Sequence, residues 1–219
     1  MPLRKCHVFN HFAVIASLLA LILCAGSCRR PTRPNVLIIT VDTLRADHLG
    51  CYGFALARTP AIDKLARESV RFTDAISSAP ITMPAHSSIF TGLFPVAHGV
   101  RDNGAYALGE NAVTLAERLR NAGYTTHAFV SAIVLNRRYN LNQGFETYDD
   151  DLWGEDDPKL FMIRERQAPK TADHFLQWFG DWDKTRTKPF FTWIHFFDPH
   201  QPYRPSATDM ALAISPYDA

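Results

Sequence analysis

Two stretches of unusually apolar, β-branched and aromatic character frame this chain: Asn35-Val36-Leu37-Ile38-Ile39-Thr40-Val41 near its start and Phe190-Phe191-Thr192-Trp193-Ile194-His195-Phe196-Phe197 near its end. Runs of this length, without polar alternation, predict strands buried on both faces of a parallel sheet. The first ends at Asp42, and the second, introduced by Pro189, leads into Asp198-Pro199-His200-Gln201-Pro202-Tyr203. Between them the pattern alternates. Thr59-Pro60 predicts the start of a helix reaching about Ser69, and Val70-Arg71-Phe72 reads as a short strand. Thr114 and Glu117 form a capping-box pattern for a helix over 115–122, stopped by Gly123. Tyr124 to Val130 is the next strand, and Thr171 is expected to cap a helix with Phe175, Trp178 and Phe179 on one face. Strand and helix alternation of this kind implies an α/β sandwich, and there is no internal repeat or low-complexity segment.

The first 34 residues follow a different pattern. Arg4 and Lys5 precede an apolar run from Phe12 to Cys24, too short to span a bilayer comfortably, then Ala25-Gly26-Ser27 and Cys28. This reads as an export signal over 1–28 with a lipoprotein-like cleavage site, making Cys28 the lipid-bearing first residue of the mature protein. Ordinary secretion and an uncleaved anchor are the alternatives. A linker over 29–34 and a single folded domain over 35–219 follow. Cysteine usage agrees with export: with Cys6 and Cys24 lost and Cys28 lipidated, Cys51 stands alone and no intramolecular disulfide forms.

Charge narrows the partners. Setting aside Arg4, Lys5, Arg29 and Arg30 leaves 19 of the 23 basic residues against 22 acidic ones, a balance of about −3 that offers no nucleic-acid surface. Acidic residues cluster between Glu146 and Asp157, as a solvated loop or, alternatively, an ion site.

Candidate chemistry centres on Pro80-Ile81-Thr82-Met83-Pro84-Ala85-His86-Ser87-Ser88-Ile89-Phe90-Thr91-Gly92. Pro84 suits the first turn of a helix, Ile89-Phe90 gives it something to bury and Gly92 closes it. Thr82 thus lies at a helix N-terminus, where N–H groups and the dipole favour an anion. The plainer alternative is an N-cap. Asp42, at the carboxyl end of a central strand, lies where open α/β sheets bind ligands and metals, unless it only caps the next turn. Together, Asp42 and Thr82 can hold a metal that activates the hydroxyl as a nucleophile, and His200 can protonate a leaving alcohol.

At these residues the chain resembles the sulfatase family of the alkaline phosphatase superfamily. Asn35–Asp42 with Leu49-Gly50-Cys51-Tyr52-Gly53 is similar to the family's first metal-binding strand and its glycine-tyrosine turn. Thr82 through Leu93 stands in the place of the family signature, and Pro189 through Tyr203 resembles the segment with the active-site histidine. The resemblance implies an alkaline phosphatase-like three-layer sandwich around a mostly parallel sheet, of which 35–219 is the N-terminal part. It also implies a divalent metal, calcium by resemblance with zinc or manganese as alternatives, and a small-molecule, glycan or lipid ester as substrate.

Several positions depart from the family pattern. Sulfatases convert a cysteine or serine to formylglycine, and threonine is not expected to undergo that conversion, so Thr82 acts as itself or not at all. His86 replaces the arginine beside the nucleophile and is the third catalytic candidate. Asp42-Thr43 stands where paired aspartates are common, and Ser131 and Ile133 fall where a lysine and a histidine usually contact sulfate. The expected protein is an exported hydrolase of sulfate, phosphate or phosphonate esters, held in the bacterial periplasm or cell envelope through Cys28. A transferase of phospho-headgroups and a non-catalytic binding domain are the competing readings.

Overall fold

The computed structural model describes residues 33–152, 165–203 and 217. The expected export signal, most of the expected linker and the acidic residues from 153 to 157 lie outside the described residues. Four strands, β1 (Val36–Val41), β2 (Thr125–Phe129), β3 (Thr147–Asp149) and β4 (Phe190–Phe196), form one sheet in the order β1-β4-β2-β3. Every pairing is parallel. The helices are α1 (Pro60–Arg67), α2 (Thr82–Thr91), α3 (Pro95–His98), α4 (Leu115–Asn121) and α5 (Ala168–Thr185).

The central strand β4 separates two packed faces. Phe191, Trp193 and His195 point to one side, where Phe191 and Trp193 meet Phe90 of α2 and Phe145. Phe190 points to the other, against Trp178, Phe179 and Trp182 of α5, and Phe129 of β2 joins it against Phe175 and Trp178. The result is the three-layer α/β arrangement that the strand-helix alternation implied. Trp193, Phe191 and Phe90 are fully buried or nearly so. Truncating any one of them to alanine would cost about 3–5 kcal/mol.

Helix boundaries follow local chemistry. Thr114 accepts from the Glu117 N–H at 3.1 Å while Glu117 accepts from the Thr114 N–H at 2.7 Å, so the capping box forms as its sequence predicts. Gly92 ends α2 at φ 71°, a backbone shape that costs glycine little. Arg166, almost wholly buried, ties α5 to the sheet. Its guanidinium reaches Asp149 of β3 at 2.8 Å, the Val130 carbonyl at 3.0 Å and Thr171 at 3.1 Å.

Four expectations require correction. Val70–Phe72 is not a strand; Val70 and Phe72 are exposed and the Phe72 carbonyl accepts from the Tyr52 hydroxyl instead of a neighbouring strand. Thr171 does not cap α5, which begins three residues earlier with Pro169 in its first turn; the Thr171 hydroxyl is buried against Arg166. The helix predicted to reach Ser69 ends at Arg67. Finally, β1 is buried on one face only among the described residues: it is an edge strand there, and Leu37 and Ile39 remain exposed.

Candidate active site at the carboxyl rim of the sheet

β1 delivers Asp42 to the rim. Its N–H donates to the Phe196 carbonyl at 2.8 Å, extending the β1–β4 ladder by one step, so the backbone at Asp42 is held as firmly as a strand residue. The chain then turns sharply at Thr43, whose φ of 53° is unusual for a β-branched residue. Strain of this kind persists where surrounding contacts over-determine it, and here Tyr217 donates to the Thr43 carbonyl at 2.8 Å.

α2 supplies the second group. Thr82 is its first residue, Ile81 holds the cap position and no side chain caps the helix. The Thr82 hydroxyl therefore does not serve as a cap, and it donates to Asp42 Oδ2 at 2.9 Å across 40 residues of sequence. The first turn is less open to an anion than its sequence suggests. The Met83 N–H is taken by Asn103 Oδ1 at 2.8 Å, Pro84 has none, and Ala85 bonds back to Ile81. Among the described residues the Thr82 N–H is what the first turn has left to offer.

His86 sits one turn further on, buried and engaged at both nitrogens. Nδ1 donates to the Thr82 carbonyl at 2.8 Å, and Nε2 meets Thr40 Oγ1 at 3.1 Å. Trp193 Nε1 also donates to Thr40 Oγ1, at 3.0 Å, so the threonine proton points to His86 Nε2 and the ring is neutral with its hydrogen on Nδ1. Burial, and then the neighbouring His195, push the His86 imidazole down to about 4, against the opposing pull of the Thr82 carbonyl and Asp42.

The fourth group escaped the sequence reading. His195 of β4 is fully buried, with Nε2 at 3.7 Å from Asp42 Oδ2 and its ring at 5.1 Å from His86. Ser131 stands behind it: its hydroxyl donates to the His195 carbonyl and lies 3.1 Å from Nδ1. A histidine in an aromatic run, on the same strand face as Phe191 and Trp193, was the available signal. Burial alone would raise the Asp42 carboxyl, but His195, the Thr82 hydroxyl and His86 outweigh it and keep the group below the usual carboxylate range. Asp42 is thus an anion at neutral pH.

His200 lies beyond the end of β4, where the chain turns back through a bond from its N–H to the Phe197 carbonyl. Its ring stacks on Phe197, with centroids 4.3 Å apart, and Nδ1 donates to the Gln201 carbonyl at 2.6 Å. Nδ1 is thereby committed within the loop, leaving Nε2 as the other ring nitrogen. The structure thus brings Asp42, Thr82, His86 and His195 into one contact network and holds His200 on the adjoining loop. Asn103, Thr40 and Ser131 complete the support. A surface cavity of about 570 Å³, lined in part by Cys51, Asp63 and Arg71, is separate from these residues.

An all-parallel sheet flanked by helices, with a carboxylate and a hydroxyl meeting at its carboxyl rim, defines an α/β protein of the alkaline phosphatase-like type. Comparison with solved structures agrees on the fold: the phosphonate monoester hydrolase of Agrobacterium radiobacter superposes with a TM-score of 0.65 at 23% identity, over 82% of this chain and 44% of that one. The sulfatase family model matches residues 34–211, and the chain belongs to that family. Rat steryl-sulfatase is 39% identical over 114 residues, which are 48% of this chain and 19% of that protein. The N-acetylglucosamine-6-O-sulfatase of Bacteroides thetaiotaomicron is 27% identical over 207 residues, covering 89% of this chain and 36% of that enzyme. The chain therefore spans between a fifth and about a third of the length of these two curated relatives.

Proposed function

We propose that this chain contributes the nucleophile-bearing part of an exported, metal-dependent hydrolase of sulfate, phosphate or phosphonate esters, and that Thr82 attacks directly without formylglycine. The observation that carries the reading is the 2.9 Å bond from Thr82 Oγ1 to Asp42 Oδ2 at the carboxyl rim of a parallel sheet. Relatives named as sulfatases and a fold neighbour named as a phosphonate monoester hydrolase support the reaction class.

A divalent cation fits the donors here. Asp42 is anionic and adjoins the Thr82 oxygen, and an otherwise unpartnered buried nitrogen, His195 Nε2, is aimed at the same carboxylate. When bound, such an ion would lower the pKa of the hydroxyl and neutralise charge on the substrate. Asp42 and Thr82 supply two of the six or so oxygens that a hard cation takes.

The chain's own residues divide the remaining work. Asp42 accepts the Thr82 proton as Oγ1 attacks phosphorus or sulfur. The bond to the ester oxygen breaks, and His200, entering the step as an imidazolium with Nδ1–H held on the Gln201 carbonyl, passes its Nε2 proton to the departing alcohol and is left neutral. Water then releases the acid from Thr82. His86, saturated at both nitrogens, is a positioning residue: it fixes the first turn of α2 through the Thr82 carbonyl. The substrate is a small-molecule, glycan or lipid ester.

The test is substitution of the hydroxyl in the full-length protein. Thr82→Val keeps the shape and removes the nucleophile, so activity on aryl sulfate and aryl phosphate esters should fall by several orders of magnitude. Thr82→Ser should keep a measurable fraction, losing chiefly the rotamer restraint of the methyl group. Full activity in Thr82→Val would refute the assignment and turn attention to a bound water as nucleophile.

A further inference from the structure

The four strands share one direction, so the sheet has a carboxyl rim, marked by Asp42, and an amino rim from which every strand starts. α2 runs the other way. Thr82 in its first turn meets Asp42, His86 meets Thr40 and Trp193, and Phe90 meets Trp193 and Phe191, so the contacts move back along β1 and β4 as the helix advances. Its ten residues carry the chain about 15 Å from the Thr82 hydroxyl towards the amino rim.

Apolar side chains are offered to the outside at that end. Ile89 and Leu93 are about half-exposed, and Phe94 and Val96 are 71% and 80% exposed. α3 folds back along α2, with Ser88 Oγ 3.0 Å from His98 Nε2, so these residues form one turned tip. Its backbone is closed. The Gly92 N–H donates to the Ser88 carbonyl at 2.8 Å, Leu93 to Thr91 Oγ1 at 3.2 Å, Ala97 to the Phe94 carbonyl at 2.8 Å and Gly99 to the Pro95 carbonyl at 3.0 Å. An apolar tip with satisfied backbone groups suits hydrocarbon, which offers no hydrogen bonds. The exposed Leu37 and Ile39 differ, because they belong to a sheet edge whose open backbone groups suit another strand.

Charge and chain connection agree. Just ahead of the strand starts stand exposed Arg33, Arg120 and Lys188, against one acid, Glu146, while Arg186 is paired with Asp183. Basic side chains so placed attract anionic lipid headgroups. Asn35 Oδ1 accepts from the Phe190 N–H at 3.1 Å, which fixes the entry to β1 beside the start of β4. Cys28 lies seven residues before Asn35, so however that chain runs it reaches no further than about 25 Å. A lipid on Cys28 keeps the amino rim within that distance of a bilayer.

Resting on the expectation that Cys28 bears the lipid, we propose that the tip over 89–96 and the basic amino rim are the membrane-facing surface of this protein. The bilayer that holds the anchor is the partner, with Phe94 and Val96 below its headgroups and Arg33, Arg120 and Lys188 against them. The carboxyl rim, with Asp42 and Thr82, then opens to the aqueous side.

The experiment places a nitroxide on Val96→Cys, or on Asp47→Cys at the carboxyl rim, each with Cys51→Ser, in the full-length lipidated protein on phosphatidylethanolamine–phosphatidylglycerol vesicles. The probe at 96 should be at least about tenfold less accessible to an aqueous nickel chelate than the probe at 47, as for a side chain set below the headgroups. In the full-length Cys28→Ser protein without vesicles, the probe at 96 should be open to the chelate. Shielding there would show that protein covers the tip, and would overturn the proposal. Equal accessibility of the two probes on vesicles would overturn it as well. The Cys28→Ser protein should also partition weakly onto the same vesicles, and less without phosphatidylglycerol. Adding Leu93→Ser, Phe94→Ser and Val96→Ser should lower that partition at least about tenfold with an unchanged urea midpoint, since burying even one large apolar side chain is worth about that much. If the mature protein has an unmodified Cys28 but the serine variant still loses partition, the tether fails and the membrane face stands; a lipidated Cys28 with no loss in the serine variant sinks the membrane face alone.

Discussion

His200 is the site residue whose role turns most on one atom. With Nδ1 committed to the Gln201 carbonyl and the ring stacked on Phe197, Nε2 is presented from a loop already stiffened by Pro199 and Pro202. A proton donor held this way loses little freedom when a substrate arrives. His200→Ala in the full-length protein should lower kcat by about 10²-fold or more on an alkyl ester, which needs its leaving oxygen protonated. An aryl ester with a very good leaving group should be hurt much less. Equal losses on both substrates, measured by steady-state kinetics, would assign His200 to structure or metal binding. His86 differs in kind, because both of its nitrogens are occupied within the protein and its influence runs through the Thr82 backbone.

Packing between elements sets the acid limit of the fold. His127 of β2 lies under Trp178 of α5, with ring centroids 4.3 Å apart, and its Nδ1 is buried without a partner. Burial pushes its imidazole from the ordinary 6.5 to about 4, and His86 on the opposite face behaves likewise. Both rings are neutral in the fold, whereas the unfolded chain takes up protons below about pH 6.5. Stability should therefore be greatest above that value and fall as pH drops from about 6.5 towards 4. Urea unfolding midpoints at pH 7.5 and pH 4.5 check this. His127→Phe, which keeps an aromatic ring against Trp178 and cannot take a proton, should show a smaller fall between the two pH values than the unaltered protein. An equal fall would mean that His127 is not among the groups responsible.

At the scale of the whole molecule, the chain matches the sulfatase family over residues 34–211, and the segment ahead of that match is the one whose sequence is read as an export signal. No helix among the described residues is long and apolar enough to cross a membrane. We propose that attachment to the cell envelope runs through a lipid on Cys28, once residues 1–27 are removed. The basic start, short apolar run and small residues before a cysteine support it, and Cys51 is a free thiol in the fold. Intact-mass measurement of the mature N-terminus should find a diacylglycerol-bearing Cys28. An intact Met1 with an unmodified Cys28 would exclude it. Anchoring would restrict the enzyme to esters reaching the envelope surface, which fits glycan and lipid substrates.

What the sequence determined by itself was whatever depends on neighbours along the chain. The apolar runs at 36–41 and 190–196 had to be strands, since their length and β-branched or aromatic character leave little else. The Thr114–Glu117 capping box and the Gly92 stop are likewise written in a few consecutive residues, and Asp42 marks its strand end because the run stops there. Where local signals were weak they misled: Val70–Phe72 has strand-forming residues but no strand beside it, and Thr171 has a capping side chain that Arg166 claims instead. Only the tertiary structure decided which groups meet. Inserting β4 between β1 and β2 puts His195 beside Thr40 and its ring toward Asp42, and packing α2 on that face brings Thr82 to the same carboxylate. Those contacts join residues 40 and more positions apart, and no propensity or spacing encodes a partner at that distance. Strand order and the choice of buried face set it, because they are the arrangement that hides Phe191, Trp193 and Phe90 together from water.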